Sequence, residues 1–496
     1  MTGNDTVVPA SGSRPEIRLP HLGLFIDGQW CEPTEGGTLQ IRNPATEATI
    51  VEAAAATAAD VDKAVTAARH QVDDGEWSRL SGVDRGRLLL RLADAIERDS
   101  DYFAKLETLD IGQPAPGPAA AVDTLRYFAG WADKIDGRHV SLPNRDGRRF
   151  HSYTVREPVG VVAAITPWNS PTMITAWKLA PALAAGCSVV LKPPEDAPLS
   201  SLHFASLVQE VGFPAGSVNV IPGVGDDAGA ALVRHPGVDK VSFTGSPEVG
   251  REIGRAAAES FKRLTLELGG KAPQLIFADA DFDQAIPAAA RSFYAHGGQI
   301  CAAGTRVLVA AQATDELVAG LVEQARSVRV GDPFEPTTNV GALINEPQLE
   351  RVMGYIRSGA DEGAELVTGG KRMDGPGYFV EPTVFKGSND LTISQDEIFG
   401  PVATVMPFHD LDDALRLANA TRYGLSANVW TRDLATAHLV ARRIRAGAVQ
   451  INTPPPNPPN ARLPWGGMKS SGIGRELSFS GIEVCTEEKA VVVCLD

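Results

Sequence analysis

The sequence lacks the features of several protein classes. It has no apolar run of about 18 residues or more, so no membrane-spanning helix is predicted. It has only five cysteines among 496 residues, widely separated and without a C-x-x-C pair. Neither a disulfide framework nor a zinc site is therefore predicted, and no metal is expected. Basic residues number 46 against 61 acidic ones, for a net charge of −15, which argues against a nucleic-acid partner.

The first residues also lack a secretory signal, because no basic region precedes an apolar stretch. We expect a polar, mobile tail over residues 1–20. The scattered cysteines predict reduced thiols and a cytoplasmic protein, with Cys187 and Cys494 as small buried apolar residues. The length predicts about two to four structural units.

An alternation of strands and helices over residues 158–268 is the clearest structural pattern. The predicted strands are Val161–Ile165, Ser188–Leu191, Val218–Ile221 and Val241–Phe243, and the helices between and after them are Met173–Ala185, Ser200–Val211, Ala228–Arg234 and Pro247–Glu259. This order predicts an α/β fold with a Rossmann-like, doubly wound parallel sheet. Such sheets bind ligands beyond the carboxyl ends of their strands.

A second α/β unit is predicted from 269 to 477, with strands at Gln274–Phe277, Val307–Ala310 and Val449–Asn452. Two further segments, roughly 145–157 and 486–496, alternate like exposed strands. The last ends in KAVVVCLD, an apolar edge that predicts pairing with another subunit.

Three strand ends carry candidate nucleotide-binding residues. Gly245 and Ser246 precede a helix whose free N–H groups could face a pyrophosphate; an ordinary strand–turn–helix junction is an equal alternative. The glycines of GVGDDAG (223–229) are spaced too widely for the dinucleotide fingerprint. In KPPE, Glu195 could accept hydrogen bonds from ribose hydroxyls and repel a 2′-phosphate, which favours NAD over NADP. The alternative for Lys192 and Glu195 is a solvated loop.

Three residues suggest a covalent reaction. Cys301 lies among small residues in GGQICAAGTR, but a free thiol has a pKa of about 8.5 and needs activation. Glu267, in an apolar strand, is a candidate general base because burial would raise its pKa. Asn169 offers an amide donor to an oxyanion. Each residue alone has a structural alternative. Together they predict thiol attack on a carbonyl, hydride transfer to a nicotinamide and hydrolysis of a thioester.

These motifs resemble those of the aldehyde dehydrogenase superfamily, of the non-acylating type, from about Leu22 to Val493. The matching motifs are PWN, WKLAPALAAG, LKPPE, FTGS, LELGGK, GGQICAAGTR, EIFGPV and PWGGMKSSGIGRE. The resemblance implies an NAD-binding domain (21–144 and 158–268), a catalytic domain (269–477) and a small β oligomerisation ribbon (145–157 and 478–496). It also implies an aldehyde substrate and a homodimer or homotetramer.

The resemblance further implies a role for each site residue. Cys301 would be the nucleophile, Glu267 the base, and Asn169 with the backbone N–H of Cys301 the oxyanion hole. Lys178 and Glu476 match positions proposed to relay protons, although both could be surface charges. The implied cofactor site comprises Ile165, Thr166, Trp168, Lys192, Glu195, Gly225, Phe243, Gly245, Ser246, Val249, Leu268, Glu397 and Phe399, with Glu397 at the nicotinamide ribose and Phe399 beside it.

Departures from the family pattern bear on the substrate. Ser170 and Ala295 stand where relatives often have aromatic residues, which predicts a roomier pocket. Trp465 could stack on an aromatic substrate, and the proline-rich loop 452–467 should be stiff. We therefore expect an apolar, bulky or aromatic aldehyde. Cys485 stands where a tyrosine is common, which puts the subunit contacts in question.

Two other functions stay open at this stage. A CoA-acylating dehydrogenase would pass the acyl group to a thiol and would not need a hydrolytic base, so the presence of Glu267 favours hydrolysis. A catalytically silent structural homologue would be expected to have lost the thiol, the base or the amide, and all three are present.

Overall fold

The computed structural model describes residues 6–12, 14–453 and 459–495. The strands of this part are β1 (Val7–Val8), β2 (Ile17–Arg18), β3 (Leu24–Ile26), β4 (Gln29–Cys31), β5 (Thr38–Arg42), β6 (Thr49–Ala54), β7 (Phe150–Pro158), β8 (Val161–Ile165), β9 (Ser188–Lys192), β10 (Val218–Val220), β11 (Lys240–Thr244), β12 (Arg263–Glu267), β13 (Pro273–Ile276), β14 (Arg306–Ala310), β15 (Glu365–Thr368), β16 (Thr383–Lys386), β17 (Val402–Phe408), β18 (Ser426–Trp430), β19 (Ala448–Ile451), β20 (Gly472–Ile473) and β21 (Thr486–Cys494). The helices are α1 (Ala58–Asp73), α2 (Glu76–Arg79), α3 (Gly82–Arg98), α4 (Ser100–Ile111), α5 (Ala119–Ala129), α6 (Pro171–Ala185), α7 (Leu199–Val211), α8 (Ala230–Arg234), α9 (Pro247–Ala258), α10 (Phe282–Tyr294), α11 (Thr314–Ser327), α12 (Glu346–Asp361), α13 (Thr392–Gln395), α14 (Leu411–Asn419), α15 (Leu434–Arg443) and α16 (Ser478–Glu483).

The first sheet has eight strands in the order β20-β12-β11-β8-β9-β10-β3-β4. Its five central strands, β12 to β10 in that order, run parallel, and β8, β9 and β10 are buried along their whole length. Strands covered by helices on both faces are continuously apolar, which explains the apolar runs in the sequence. The prediction of a doubly wound α/β fold is confirmed.

A second sheet has seven strands in the order β15-β16-β17-β14-β13-β18-β19. All of its pairs are parallel except the edge pair of β15 with β16. Its buried core includes Phe293, Val307 and Trp430. This sheet lies within the predicted second α/β unit.

One short strand crosses the predicted domain boundary. We assigned residues 269–477 to the second unit, but β20 pairs antiparallel with β12 at the edge of the first sheet. Gly472 permits this pairing, because a Cβ at that position would overlap the carbonyl of Leu266. A strand of two residues carries no periodic pattern, so the sequence could not reveal the exchange.

A two-stranded ribbon lies apart from both sheets. Strands β7 and β21 pair antiparallel, from Phe150 opposite Cys494 to Pro158 opposite Thr486. Cys494 is exposed on this ribbon, so its interpretation as a buried apolar residue was wrong; an edge strand has no core to pack against. Cys485 is buried at the base of the ribbon, where its carbonyl accepts a hydrogen bond from the backbone N–H of Val159 at 3.0 Å.

The prediction of a mobile tail over residues 1–20 is wrong for its last part. Strands β1 and β2 form an antiparallel pair, and Ile17 and Leu19 are buried in the largest apolar cluster. Two apolar side chains separated by one residue are enough to fix the chain onto the core. Within the described ranges, no helix combines the length and apolar content that crossing a bilayer requires.

Candidate active site

The carboxyl ends of the parallel strands meet at one edge of the first sheet, as predicted. Ile165 at the end of β8 lies opposite both Lys192 on β9 and Phe243 on β11. Thr244, the last residue of β11, lies opposite Glu267 on β12. Residues that are up to 78 positions apart in the sequence are therefore neighbours at this edge.

The connection after β9 carries a charged pair beside a glycine. An Oε1 atom of Glu195 accepts a hydrogen bond from the backbone N–H of Gly225 at 2.5 Å. The ammonium of Lys192 lies 3.8 Å from the same oxygen, and it is 5% exposed while the Glu195 side chain is 43% exposed. Burial lowers the pKa of Lys192, an effect that Glu195 opposes. The alternative of a solvated loop does not hold for the lysine, and the carboxylate remains open to a ligand.

The turn after β11 leads into the N-terminus of α9. The Ser246 hydroxyl accepts a hydrogen bond from the N–H of Val249 at 3.2 Å and caps α9. A Cβ at Gly245 would overlap the ring of Phe243, which lies beneath the turn. Leu268 is buried in the same apolar cluster as Phe243, whereas Val249 is exposed. The arrangement offers a helix N-terminus to an anion and an apolar surface to a ring.

A second carboxylate, Glu397, lies at the other end of the cleft. Its Oε1 atom accepts a hydrogen bond from the N–H of Gly270 at 2.9 Å, and burial raises its pKa to about 7. Phe399 adopts a left-handed φ of 60°, and its ring meets Trp168 edge to face with centroids 5.3 Å apart. Thr166 is buried, and its hydroxyl has no hydrogen-bond partner among the described residues.

The half-buried thiol of Cys301 lies beside two carboxylates. Burial and, to a lesser extent, the charges of Glu397 and Glu267 together raise its pKa to about 12. The side-chain amide of Asn169 donates a hydrogen bond to the backbone carbonyl of Gln299 at 2.8 Å, two residues before the thiol. The sequence-predicted nucleophile, base and amide are thus brought together.

An unusual turn connects α10 to this segment. His296, Gly297 and Gly298 have consecutive left-handed φ values of 55°, 64° and 72°. A Cβ at Gly298 would overlap the backbone carbonyl of Gly400, so only glycine permits this close approach. A left-handed non-glycine residue costs about 1–2 kcal/mol, and such conformations concentrate at functional sites. Sequence reasoning noted the small residues here but did not identify the turn.

Glu267 belongs to a buried polar group. Neither of its carboxylate oxygens has a hydrogen-bond partner in the described part of the chain. Burial raises its pKa well above the ordinary value, and the charge of Glu476 adds to the effect. The Lys178 ammonium donates to Glu476 Oε1 at 2.7 Å and to the Ser242 hydroxyl at 3.2 Å. The Ser242 hydroxyl donates to the same Glu476 oxygen at 2.9 Å.

Lys178 and Glu476 are not surface charges. Their side chains are 0% and 4% exposed, so that alternative is wrong for both. Ser242 was not identified from the sequence. Its signal was its place on β11, two residues before Thr244 and therefore on the same face of the strand.

Two buried tryptophans contact each other within the large apolar cluster against which Cys301 packs. Trp177 and Trp465 have ring centroids 6.2 Å apart, and the cluster that contains them also contacts Cys301. The Ser170 hydroxyl donates to the backbone carbonyl of Asn169 at 2.7 Å. The predicted stiffness of the proline-rich loop falls on residues 454–458, which lie outside the described residues.

The prediction that Cys187 is a small buried apolar residue is confirmed. It is buried, and its Sγ lies 3.3 Å from the backbone carbonyl of Cys485. Burial raises the pKa of the Cys187 thiol to about 12. Unlike Cys301, it has no exposed side from which a substrate could approach.

Two buried acids on α4 were also missed. Glu107 and Asp110 accept hydrogen bonds from backbone N–H groups of Thr172 and Leu199, at 2.9 and 3.0 Å. The signal was two acidic residues between apolar ones in LETLDI, where an amphipathic helix would bury both.

Comparison with known proteins independently supports the family resemblance that the sequence motifs indicated. The profile of the aldehyde dehydrogenase family matches residues 30–491. An aldehyde dehydrogenase of Aspergillus niger is 46% identical over 476 residues, covering 95% of this chain and 94% of that protein. A mitochondrial aldehyde dehydrogenase of Mesocricetus auratus is 45% identical over 98% of both chains. The NAD+ complex of an aldehyde dehydrogenase from Bacillus cereus superposes with a TM-score of 0.93 at 43% identity, covering 96% of this chain and 97% of that one.

Proposed function

The chain belongs to the aldehyde dehydrogenase family, and from that premise we propose how its own residues oxidise an aldehyde to the carboxylic acid. The enzyme oxidises aldehydes with a nicotinamide cofactor. The observation that carries the proposal is a half-buried thiol, Cys301, beside one carboxylate without partners and one side-chain amide.

The reaction begins with attack by Cys301 on the aldehyde carbon. Because its pKa is raised to about 12, the thiol is protonated at neutral pH and must lose its proton as it attacks. Glu267, whose charge is felt at the thiol, is the nearby base without hydrogen-bond partners. A carboxylate with a raised pKa takes up a proton more readily near neutral pH.

The developing oxyanion is stabilised by the amide of Asn169 and the backbone N–H of Cys301. The amide is held at 2.8 Å from the carbonyl of Gln299, so it needs little reorganisation when charge develops. Preorganised donors of this kind contribute about 10²–10³ to the rate. NAD, when bound, accepts the hydride that leaves the former aldehyde carbon. The acyl group is then held as a thioester on Cys301.

Hydrolysis of the thioester needs a base that removes a proton from water. Glu267 can serve again once it has released the proton that it took from Cys301. Lys178 and Glu476 are linked at 2.7 Å, and they pass the proton of Glu267 away from the site. Ser242 completes this pair by bonding to both.

The cofactor site fits a dinucleotide with a free 2′-hydroxyl. Glu195 is exposed and bonded on one side only, to Gly225, so its other oxygen can accept from a ribose hydroxyl. Its negative charge disfavours a 2′-phosphate, which supports NAD over NADP. Ser246 and the first turn of α9 would hold the pyrophosphate, and Glu397 the nicotinamide ribose.

The decisive experiment traps the acyl intermediate. Glu267→Gln protein is mixed with an aldehyde and NAD, denatured, and measured by intact and peptide mass spectrometry. We expect one acyl group per chain on the peptide that contains Cys301, because a thiol is more acidic than water and its attack therefore depends less on Glu267 than hydrolysis does. An adduct on any other cysteine, or rapid turnover without an adduct, would contradict the assignment. Formation of acyl-CoA in a wild-type assay that contains CoA would support the acylating alternative instead.

The substrate that fits best is an apolar or aromatic aldehyde. The supporting observation is the buried pair of Trp177 and Trp465 in the apolar cluster that contacts Cys301. Ser170 and Ala295, which stand where relatives often have aromatic residues, are in keeping with a roomier pocket. Values of kcat/KM for aromatic, long-chain and short polar aldehydes test this. A clear preference for short polar aldehydes would overturn it.

The assembly we propose is a homodimer or homotetramer joined through the ribbon, in a reducing cytoplasm. Val492 and Val493 leave an apolar edge exposed on β21, which a second subunit would cover. Light scattering of wild type and Val492→Asp measures this directly. We expect the variant to have a lower mass; a wild-type monomer would refute the proposal.

A further inference from the structure

Two helices at the active-site edge of the first sheet begin without a hydrogen bond to an N-cap side chain. Helix α6 follows Ser170, whose hydroxyl bonds to the backbone carbonyl of Asn169 rather than to the helix. Helix α7 follows Pro198, which has no polar side chain. The first N–H groups of a helix have no partner within it, and buried ones need a partner elsewhere.

Helix α4 supplies both partners. Glu107 Oε1 accepts hydrogen bonds from the N–H of Thr172 at 2.9 Å and from the Ser200 hydroxyl at 3.4 Å. Asp110 Oδ2 accepts from the N–H of Leu199 at 3.0 Å. The two acids are three residues apart and so lie on one face of α4. Both are buried, where a carboxylate is stable only if donors or a helix dipole compensate.

Each capped position adjoins a different part of the site. Thr172 lies three residues after Asn169, the oxyanion amide, whose other anchor is the carbonyl of Gln299. Leu199 lies four residues after Glu195, which bonds to the nucleotide loop. One helix therefore holds the oxyanion turn through Glu107, whose contact with Ser200 on α7 is the longer of its two at 3.4 Å. It holds the ribose-binding connection through the bond of Asp110 to the backbone of Leu199.

We propose that Glu107 is a positioning residue for the amide of Asn169, and that Asp110 separately positions the connection that carries Glu195. The inference deepens the proposed function and rests on it. It makes a specific claim: two neighbouring buried acids on one helix control different steps. Loss of Glu107 should impair chemistry at the thiol, and loss of Asp110 should impair nucleotide binding.

Hydrolysis of p-nitrophenyl acetate separates the two effects, because an activated ester acylates the thiol without hydride transfer and so without NAD. We expect Glu107→Ala to lower ester hydrolysis and dehydrogenase kcat together, by about tenfold to a hundredfold as for other small misplacements. The dissociation constant for NAD should be unchanged. Asp110→Ala is the matched control: it should weaken NAD binding and leave ester hydrolysis unchanged. Equal effects of both variants on both readouts would overturn the inference.

Conservative variants distinguish positioning from a loss of folding. Glu107→Gln keeps an oxygen that can accept from Thr172 and should restore most of the ester hydrolysis. Glu107→Asp keeps the charge but shortens the side chain, so it should behave like the alanine variant. A normal Glu107→Asp enzyme would refute the geometric argument, even if Glu107→Ala does not fold.

The Asn169→Ala variant distinguishes an error in the oxyanion assignment from an error in the positioning role of Glu107. If Asn169→Ala leaves both rates unchanged, the oxyanion assignment in the proposed function is wrong, and the role of Glu107 falls with it. If Asn169→Ala is slow but Glu107→Asp and Glu107→Ala are not, only the positioning inference is wrong. When both hold, the double variant should be no slower than Asn169→Ala alone, because residues that act through one group are not additive.

Discussion

Glu195 and Glu267 lie at the same edge of the first sheet but in opposite environments. The Glu195 side chain is 43% exposed and accepts a hydrogen bond from Gly225 beside Lys192. Glu267 is 4% exposed, and neither of its oxygens has a partner among the described residues. A carboxylate that is bonded and open to solvent suits recognition, because its charge is already stabilised. A carboxylate that is buried without hydrogen bonds is stabilised most by taking up a proton, which suits it to act as a base.

The largest effect is expected from removing the thiol of Cys301, which lies beside Glu267 and has no role in the proposed work of Glu195. Cys301→Ala should lower dehydrogenase turnover by on the order of 10⁴-fold or more, as the loss of a covalent nucleophile does. NAD binding should persist, because the Glu195 side does not involve the thiol. NADH absorbance measures the first effect and calorimetry the second. Cys31→Ala, at an exposed cysteine, is the control and should be fully active.

The fold and the nucleotide side could be predicted from the sequence because both depend on local pattern. A buried parallel strand such as Val161–Ile165 is a continuous apolar run, and its end is a binding position in this kind of sheet. Glu195 and Ser246 could be located in this way. The proposal that Glu267 is the base needed both its apolar strand and the resemblance to a known family.

The remaining features depend on contacts that local pattern does not encode. Ser242 acquires its role only when β11 meets α6 and residue 476 in space. Glu107 caps a helix that starts 64 positions later, at Pro171. β20 joins the first sheet because Gly472 allows a close approach to Leu266. In each case the partner is chosen by tertiary packing, so the sequence can mark the residue but does not identify its partner.

The next largest effect follows from neutralising the buried carboxylate. Glu267→Gln should slow thioester hydrolysis by about 10²–10⁴-fold, as loss of a general base does. A burst of NADH should remain if hydride transfer is still faster than hydrolysis. Wild-type kcat should rise with pH through the raised pKa of Glu267, because only the carboxylate form accepts a proton. Stopped-flow absorbance and a pH series test both; an unchanged pH profile in the variant would identify a different base.

A smaller effect is expected from neutralising the exposed carboxylate. Glu195→Gln removes the charge that would repel a 2′-phosphate. It should raise kcat/KM for NADP by about tenfold, since a like-charge contact at a side chain that is 43% exposed is screened to about 1 kcal/mol. Ester hydrolysis without nucleotide should be unaffected. Parallel assays with NAD and NADP measure the ratio. A wild-type enzyme that uses both cofactors equally would show that Glu195 does not discriminate.

The smallest effect is on thermal stability, where we expect a gain for Glu267→Gln and no gain for Glu195→Gln. Burial raises the pKa of Glu267 above its ordinary 4.5, so the native state binds its proton more tightly than the unfolded state does. Its contribution to stability is therefore complete below pH 4.5 and is lost as pH rises through the folded-state pKa. Glutamine does not titrate, so Glu267→Gln should match wild type in acid and then melt about 1–3 °C higher as the pH rises. Glu195→Gln should show no such gain, because it loses the hydrogen bond strength of a charged acceptor and relieves no burial. Thermal melting across a pH series measures both, and an equal gain in the two variants would mean that the catalytic carboxylate is no more strained than the binding one.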